Sequence, residues 1–385
     1  MRKIMKTIKD MDKILLIVSI ILFVFGLFNI VTASSQVSVL RYNQPLYNYF
    51  YKQLFILILG FILTILILIP PTKSYYLFGK AGYFAIAALS ILVTFKGENW
   101  SGNQNWITLP VIGAVQPSEF AKPFLIVYLS LLFEQFYRKL RNKEIKHYDM
   151  IGKIILIGSF FPMIIFTQKD YGTMLIVGFI FFLLFLASPI LKIEKLKVLG
   201  IFFGLGILAM LFLLFSEKGI FSKAQESRFH FYDPCSRYES GGYQVCNGFI
   251  AINSGGLAGV GIGNSRQKSY IPESHTDSVF AIIAEEYGFL MTSLLFFLYI
   301  VILYRILKLA SVVRTIRGKY MCFGVSVYLF LHIFINLGGL FGSLPLTGVP
   351  LPFLSYGGSF TLSLIIALAI VQRIHVEYKN EKIKI

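Results

Sequence analysis

The chain alternates between long apolar runs and short polar segments. A helix of roughly 17–25 apolar residues crosses about 30 Å of hydrocarbon, and runs of about that length recur throughout. About ten are present, near residues 14–33, 53–70, 75–95, 117–137, 152–168, 172–190, 197–216, 278–304, 320–341 and 358–376. Apolar and polar residues do not alternate one by one within them, which excludes a strand barrel. The pattern predicts an all-α integral membrane protein with about ten transmembrane helices.

Composition supports this class of protein. Of the 385 residues, 56% are hydrophobic and only 14% are charged, with a mean hydropathy of +0.71. Soluble domains average about 25% charged residues, so a soluble protein is excluded, and disorder is excluded for the same reason. Three cysteines are too few for a disulfide scaffold. We expect a single polytopic membrane domain over residues 1–385.

The distribution of charge predicts the orientation of the helices. The first apolar run follows a basic leader, is longer than a signal sequence requires and lacks a cleavage site, so it is interpreted as a retained helix. With an even number of spans, both termini are expected in the cytoplasm. Of the 36 Lys and Arg residues, 25 fall on the predicted cytoplasmic segments, whereas the 19 acidic residues divide 8 inside and 11 outside. The net charge of +17 therefore reflects topology, and no nucleic-acid surface is needed to explain it.

One predicted connection, a long outer loop over about 216–277, separates spans seven and eight. Connections between helices normally have 2–8 residues, so a loop of this size indicates function. Its glycines between Gly255 and Gly263 do not fit a dinucleotide-binding loop, and loop packing against the membrane face is the preferred interpretation. Signatures of P-loop, zinc-peptidase, serine-hydrolase and CxxC proteins are missing from the sequence.

Acidic residues concentrate where this loop enters span eight. Glu273, His275 and Asp277 precede the span, and Glu285 and Glu286 lie within it. Asp277 as a simple helix cap is one interpretation, because carboxylates favour helix N-termini. The concentration of acids in a chain with few of them, and the depth of Glu285 in hydrocarbon, favour a functional site.

Three further polar segments open at the same predicted face. Glu119 and Lys122 share one face of span four, where a structural ion pair and a functional role both remain open. Asp170 begins span six, where capping is the simplest role. Residues 347–359 are rich in Gly and Pro and place non-helical backbone at the membrane edge. Such backbone is tolerated where it lines a water-filled cavity. Together the four segments predict one polar cavity that opens outward.

These segments carry the motifs of a known family. The chain resembles, over essentially its whole length, the SEDS proteins (shape, elongation, division and sporulation), polytopic peptidoglycan polymerases typified by FtsW and RodA. The family patterns are an Asp before span one, a basic residue with Gln at span two, QPSEFxK, QPDxGT, GYQ, PExHTDxxFAxxxEE and GxPLPFxSYGGS. They appear here at Asp12, Lys52-Gln53, 116–122, 168–173, 242–244, 272–286 and 348–359.

The resemblance implies a membrane glycosyltransferase that polymerises lipid II into β-1,4-linked glycan strands on the outer face. Residues 261–268 and 348–353 look like the division branch, which implies septal wall synthesis with a class B penicillin-binding protein and other divisome proteins as partners. Two alternatives stay open at this point: a lipid II flippase, and a RodA-type polymerase of cell elongation. The acids cluster at the outer edge rather than at the midplane, which favours chemistry over transport.

The resemblance also implies roles for individual residues. Asp277, the acid of the HTD motif, is expected to be the general base for the acceptor hydroxyl. Lys122 is the first candidate to stabilise the departing diphosphate, followed by Arg266 and Lys268, with Mg²⁺ or Mn²⁺ as an expected but unassigned metal. Substrate-binding roles are also expected for residues in all four polar segments, namely Gln116, Glu119, Asp170, Glu273, His275, Thr276, Ser355 and Ser359.

Three positions depart from the family patterns. Residues 102–106 read GNQNW where a pair of arginines is usual, Lys169 replaces a proline, and Ser278 replaces the phenylalanine after Asp277. The last change puts the local packing around the acid in doubt, although it leaves the acid itself in place.

The cysteines divide between the loop and the membrane. Cys235 and Cys246 both lie in the long outer loop, where a disulfide and two free thiols are equally open alternatives. Cys322 is expected in a span.

Overall fold

The computed structural model describes residues 2–36, 38–39, 43–100, 103–109, 113–142, 147–201, 233–240, 242–272 and 274–382. Their helices are α1 (Arg2–Lys9), α2 (Lys13–Gln36), α3 (Asn48–Leu68), α4 (Tyr75–Lys96), α5 (Pro117–Arg141), α6 (His147–Thr167), α7 (Tyr171–Ala187), α8 (Tyr243–Gly255), α9 (Val279–Val312), α10 (Ile316–Leu340) and α11 (Gly358–Lys382). Short 3₁₀ turns occupy Thr72–Ser74, Tyr238–Ser240 and Gln267–Ser269.

Nine of the ten predicted spans coincide with α2 to α7 and α9 to α11. Seven helices in the described residues are long and apolar enough to cross a membrane, whereas α7 has 17 residues and α5 carries several charges. The remaining predicted span, near 197–216, begins in a helical segment over 192–201 and otherwise lies outside the described residues, as does the first part of the long loop. The prediction of a multi-pass helical membrane protein is confirmed.

The expectation of an all-α chain misses a small antiparallel sheet between α4 and α5. Its strands are β1 (Glu98–Trp100), β2 (Asn103–Leu109) and β3 (Gly113–Val115), in the order β1-β2-β3. Glu98 pairs with Trp106, and Ile107 pairs with Val115. These strands are short and do not alternate regularly between apolar and polar residues, so the sequence gives no clear strand signal.

The centre of the bundle is formed by α5, α10 and α11. Helix α5 packs against α4, α6, α7, α10 and α11, and it is buried along most of its length. In contrast, α3 and α4 pack on one side and leave most of their apolar side chains partly or fully exposed, as expected for helices that contact lipid.

Ionic contacts join the segments that the sequence analysis places in the cytoplasm. Asp12, before α2, accepts a hydrogen bond of 2.6 Å from Nη2 of Arg305, near the end of α9. Arg317 lies 2.9 Å from Glu134, and the hydroxyl of Thr72 donates to Glu377 at 2.5 Å. This polar layer and the turn that carries Asp277 therefore lie at opposite ends of α9.

Helix α9 is broken at Gly288, where the backbone has φ 75° and ψ −173°. The segment after α8 fills the break: the N–H groups of Val260 and Gly261 donate to the carbonyls of Glu285 and Glu286, and the N–H of Phe289 donates to Gly256 O. A positive φ is cheap for glycine, and the interrupted backbone groups are satisfied in this way. The glycine-rich segment is thus a backbone partner of α9, which refines the expectation of loop packing.

Candidate functional site

Asp277 lies in the turn immediately before α9 and is 7% exposed. Its Oδ1 accepts hydrogen bonds from Nε2 of Gln244 at 3.1 Å and from the hydroxyl of Ser278 at 3.3 Å. The cap residue of α9 is Ser278, which makes no side-chain capping bond. Asp277 thus lies one residue before the cap position, and a neighbouring helix donates to its carboxylate. Its role, as a cap or in function, stays a prediction.

That neighbouring helix is α8, which begins at Tyr243 and holds Gln244 in its first turn. Cys246 on α8 is bonded to Cys235, with the two Cα atoms 4.9 Å apart. The bond joins the segment before α8 to the helix that contacts Asp277, so it braces this side of the site. Cys322 is buried in α10, as expected for a span residue.

The loop between α10 and α11 is fastened to the Asp277 turn through backbone groups. The hydroxyl of Ser355 donates to the carbonyl of Thr276 at 2.5 Å and accepts from Leu351 N at 2.8 Å. The N–H of Tyr356 donates to His275 O at 2.9 Å. The Ser355 hydroxyl therefore links its own loop to the turn: it accepts from the loop backbone and donates to the turn. Its predicted contact with substrate stays a prediction.

His275 is buried between two aromatic rings. Its imidazole lies 4.6 Å from the ring of Tyr49 and 5.7 Å from that of Tyr356, measured between centroids. Burial penalises the charged imidazolium and lowers the pKa of His275 to about 4. Its Nδ1 has no hydrogen-bond partner among the described residues. His275 is thus a buried, neutral histidine two residues from Asp277, and its predicted contact with substrate stays a prediction.

The predicted pair on α5 is formed in the interior. Nζ of Lys122 lies 2.7 Å from Oε1 of Glu119, and the two side chains are 0% and 3% exposed. The ammonium also lies 3.0 Å from Nε2 of His332 on α10. The rings of Tyr328 and Phe360 flank it at 5.6 and 5.9 Å from their centroids. Lys122 thus has its donors directed at protein groups, and its predicted role toward a diphosphate stays a prediction.

Asp170 joins three elements at the start of α7. Its Oδ1 caps the helix by accepting from Thr173 N at 3.1 Å, which confirms the capping interpretation. Its Oδ2 accepts from Asn105 of β2 at 2.7 Å and from Gln116 at 2.8 Å. The backbone N–H of Gln116 in turn donates to the hydroxyl of Ser359 at 2.9 Å. Asp170, Gln116 and Ser359, predicted from three separate motifs, are therefore brought into one network.

The predicted residues around Glu285 form a separate group. The Glu285 carboxylate accepts from the hydroxyl of Ser265 at 2.5 Å, from Arg266 N at 3.0 Å and from Gln267 N at 3.2 Å. Nζ of Lys268 donates to Gly263 O at 2.6 Å, within the same loop. Glu285 thereby holds in place the loop that carries both basic candidates. Glu273 lies outside the described residues.

Several residues at the site carry little signal in the sequence. The motifs imply no role for Gln244, and His332, Asn336 and Asn105 are not among the expected site residues. His332 and Asn336 share one face of an apolar span at positions i and i+4, and a polar residue in such a span is itself a signal. Asn105 lies in the sheet, which leaves no such trace.

The described residues bring no group of three or more His, Cys, Asp or Glu side chains together in a way that would hold a metal ion. Mg²⁺ is commonly held by one or two carboxylates together with substrate phosphates. A single carboxylate such as Asp277 matches that arrangement, in which the substrate supplies the other ligands, whereas the described residues do not form a site made of protein ligands alone. The metal itself stays a prediction.

Comparison with known proteins identifies the family. Residues 12–380 match the model of the FtsW, RodA and SpoVE proteins, described as cell cycle proteins. A relative from Bacillus subtilis, named a probable peptidoglycan glycosyltransferase FtsW, is 32% identical over 394 residues, covering 98% of this chain and 94% of its own.

Two solved structures share the fold. One is a chain from a structure that describes the coordination of polymerization and crosslinking by a peptidoglycan synthase complex. It matches with a TM-score of 0.72 at 23% identity, covering 96% of this chain and 98% of the other. The rod shape determining protein RodA of Thermus thermophilus matches with a TM-score of 0.67 at 23% identity, covering 95% and 96%. The chain is a multi-pass membrane protein that belongs to the FtsW, RodA and SpoVE family.

Proposed function

We propose that this protein is a peptidoglycan glycosyltransferase that polymerises lipid II into β-1,4-linked glycan strands on the outer face of the bacterial cytoplasmic membrane, with both termini in the cytoplasm. Family membership and the names of the relatives support the reaction class. The observation that carries the proposal is the buried carboxylate of Asp277, which Gln244 orients at the end of α9 opposite the polar layer of Asp12 and Arg305.

Asp277 acts as the general base in this mechanism. A sugar hydroxyl is a poor nucleophile, and a carboxylate within about 2.6–3.2 Å removes its proton as the oxygen attacks. The 4-hydroxyl of the acceptor GlcNAc attacks C1 of the donor MurNAc, the new glycosidic bond forms, and the bond to undecaprenyl diphosphate breaks with inversion. An inverting reaction proceeds by a single displacement and forms no covalent sugar–enzyme intermediate, so no second carboxylate is required as a nucleophile.

The departing diphosphate gains negative charge as its bond to the sugar breaks. Lys122 contributes a positive field from its buried position, and Arg266 and Lys268 are candidates for direct contact because their loop lies at the surface. A bound Mg²⁺ or Mn²⁺ would neutralise part of the same charge. Glu119, Gln116, Asp170 and Ser359 serve orientation, since their polar atoms bond to one another or to neighbouring backbone.

The test is polymer formation from purified lipid II by the detergent-purified protein, alone and with its cognate class B penicillin-binding protein. Asp277→Asn keeps the size of the side chain but removes the base, so polymer is expected from the wild type and not from the variant. Asp233→Asn is a matched control, because Asp233 is an exposed acid with a φ of 51°, a conformation that asparagine also adopts readily.

Each outcome is informative. Equal activity of Asp277→Asn and the wild type would reject the general base. Absence of polymer from the wild type, even with the partner, would reject the polymerase and favour the flippase alternative.

A septal role follows from the division-type motifs and the FtsW relatives. The structural relative in a synthase complex supports a transpeptidase partner that crosslinks the polymer. Depletion of the protein is expected to give filaments or enlarged cells without septa, together with loss of septal localisation of the partner. Loss of cell shape with normal septa would instead indicate an elongation polymerase.

A further inference from the structure

His332 on α10 has both ring nitrogens engaged in the interior. Nε2 lies 3.0 Å from Nζ of Lys122, and Nδ1 lies 3.2 Å from the carbonyl oxygen of Pro350. An ammonium only donates and a carbonyl only accepts, so Nε2 must be the acceptor and Nδ1 must carry the hydrogen. His332 is therefore a neutral bridge of fixed tautomer between α5 and the loop that precedes α11.

Asn336 makes the corresponding bridge one turn further along α10. Its Nδ2 donates to the carbonyl of Asp277 at 2.7 Å and to the carbonyl of Val349 at 2.7 Å. Both N–H bonds of the amide are used, and the side chain is 3% exposed. Two consecutive carbonyls of the loop, those of Val349 and Pro350, are thus held from one face of α10.

Together these bonds form a continuous path. It runs from the Glu119–Lys122 pair through His332 to Pro350, and from Val349 through Asn336 to the backbone of Asp277. The ring of His332 also stacks on Phe360, with 4.7 Å between centroids and 24° between planes, which fixes its rotation. Among the described residues, neither polar side chain makes another hydrogen bond that would explain its place in an apolar span.

We infer that His332 and Asn336, the α10 clamp, position Asp277 relative to the buried Lys122–Glu119 pair. They act as positioning residues, because their polar atoms bond protein groups that carry or hold the site. This inference rests on the proposed function, in which Asp277 is the base and Lys122 supplies positive field. A displacement of about 1 Å in a catalytic group costs on the order of 100-fold in rate, so the clamp is expected to control turnover more than substrate binding.

The test compares His332→Leu with His332→Gln. Leucine fills similar space without polar atoms, whereas glutamine accepts from Lys122 through Oε1 and donates to Pro350 O through Nε2. We expect the kcat for lipid II polymerisation to fall at least about tenfold in the leucine variant with KM within about twofold, and to stay within a few-fold of wild type in the glutamine variant. Ser326→Ala is the matched control, since Ser326 is buried on the same helix and its hydroxyl donates to Phe323 O of that helix.

Hydrogen–deuterium exchange provides a readout that does not depend on activity. Residues 274–278 and 349–357 are expected to exchange faster in His332→Leu, with protection restored in His332→Gln. Wild-type turnover or unchanged protection in His332→Leu would overturn the inference, and so would equal loss of kcat in both variants. If the wild type makes no polymer, the proposed function fails. The hydrogen–deuterium exchange measurement then tests by itself whether the α10 clamp holds the Asp277 turn. If His332→Leu does not fold, Asn336→Leu carries the same two measurements.

Discussion

Nε2 of Gln116 lies 2.8 Å from Oδ2 of Asp170, although 54 residues separate them in the chain. Asn105 donates to the same carboxylate oxygen at 2.7 Å. One acidic side chain therefore connects the first turn of α7 to the sheet and to the residue that precedes α5. Since α5 carries Glu119 and Lys122, the position of the buried pair depends on this connection at the predicted outer face.

Replacement of Asp170 by asparagine should be destabilising. An asparagine presents one oxygen and one NH2 group, so it cannot accept from Thr173 N and from both amide donors at once. A buried donor left without an acceptor costs about 1–3 kcal/mol. We expect Asp170→Asn to lower the unfolding temperature in detergent, whereas Asp149→Asn, at an exposed acid in the first turn of α6, should have little effect. Equal unfolding temperatures for Asp170→Asn and the wild type would show that the network contributes no stability.

The Glu119–Lys122 pair should behave as a single unit. Both side chains are buried, so removing one leaves the other charge without its partner, at a cost of about 3–5 kcal/mol, whereas replacing both by neutral groups costs less. We expect Glu119→Gln and Lys122→Met each to destabilise the fold more than the double variant does.

A double-mutant cycle on unfolding in detergent measures this coupling. Lys197→Met is the control, because Lys197 is 58% exposed in its pair with Glu194 and exposed pairs contribute about 0–1 kcal/mol. Additive effects of Glu119→Gln and Lys122→Met would contradict the coupled pair.

The helices were predictable because a membrane span requires a long apolar run, and nine such runs reappear as helices. Their bounds agree to about five residues, except that α9 and α11 extend beyond the predicted ends, to Val312 and Lys382. The i, i+3 pairing of Glu119 with Lys122 followed from helix geometry alone. The motifs located Asp277, Asp170 and Gln116, but not their mutual contacts, since those depend on how distant helices pack.

Residues whose role depends on backbone partners left weaker signals. Asn336 donates to two backbone carbonyls. Every residue has a backbone carbonyl, so the identity of the residue that accepts the bond gives no sign of the contact. The break at Gly288 was equally hidden, because a single glycine within an apolar run is compatible with an unbroken helix.

The stability of the protein should depend on pH through His275. Burial lowers the pKa of His275 to about 4, below its ordinary value of 6.5. As the pH falls below about 6.5 the unfolded chain binds a proton that the folded chain does not, so this contribution is complete above pH 6.5 and is lost progressively toward pH 4. The loss amounts to about 3 kcal/mol.

Comparison of wild type with His275→Gln at pH 7.5 and pH 4.5 isolates this residue, because all other titrating groups, including Asp277, are common to both proteins. The wild type should lose more of its unfolding free energy on acidification than the variant does. An equal loss in both proteins would contradict a buried neutral imidazole between Tyr49 and Tyr356.

The bond between Cys235 and Cys246 should stabilise the side of the site that carries Gln244. Intact-mass analysis after alkylation of the denatured protein without reductant is expected to label Cys322 alone, and reduction should expose two further thiols. Cys235 and Cys246 are 11 residues apart, and closing a loop of that length is worth about 3 kcal/mol in the chain-entropy model. Cys235→Ser and Cys246→Ser should therefore each lower the unfolding temperature similarly. Because Gln244 orients Asp277 from the same helix, both variants should also reduce turnover more than Asp233→Asn does. Labelling of all three cysteines before reduction would reject the disulfide and leave α8 without a covalent link to the segment before it.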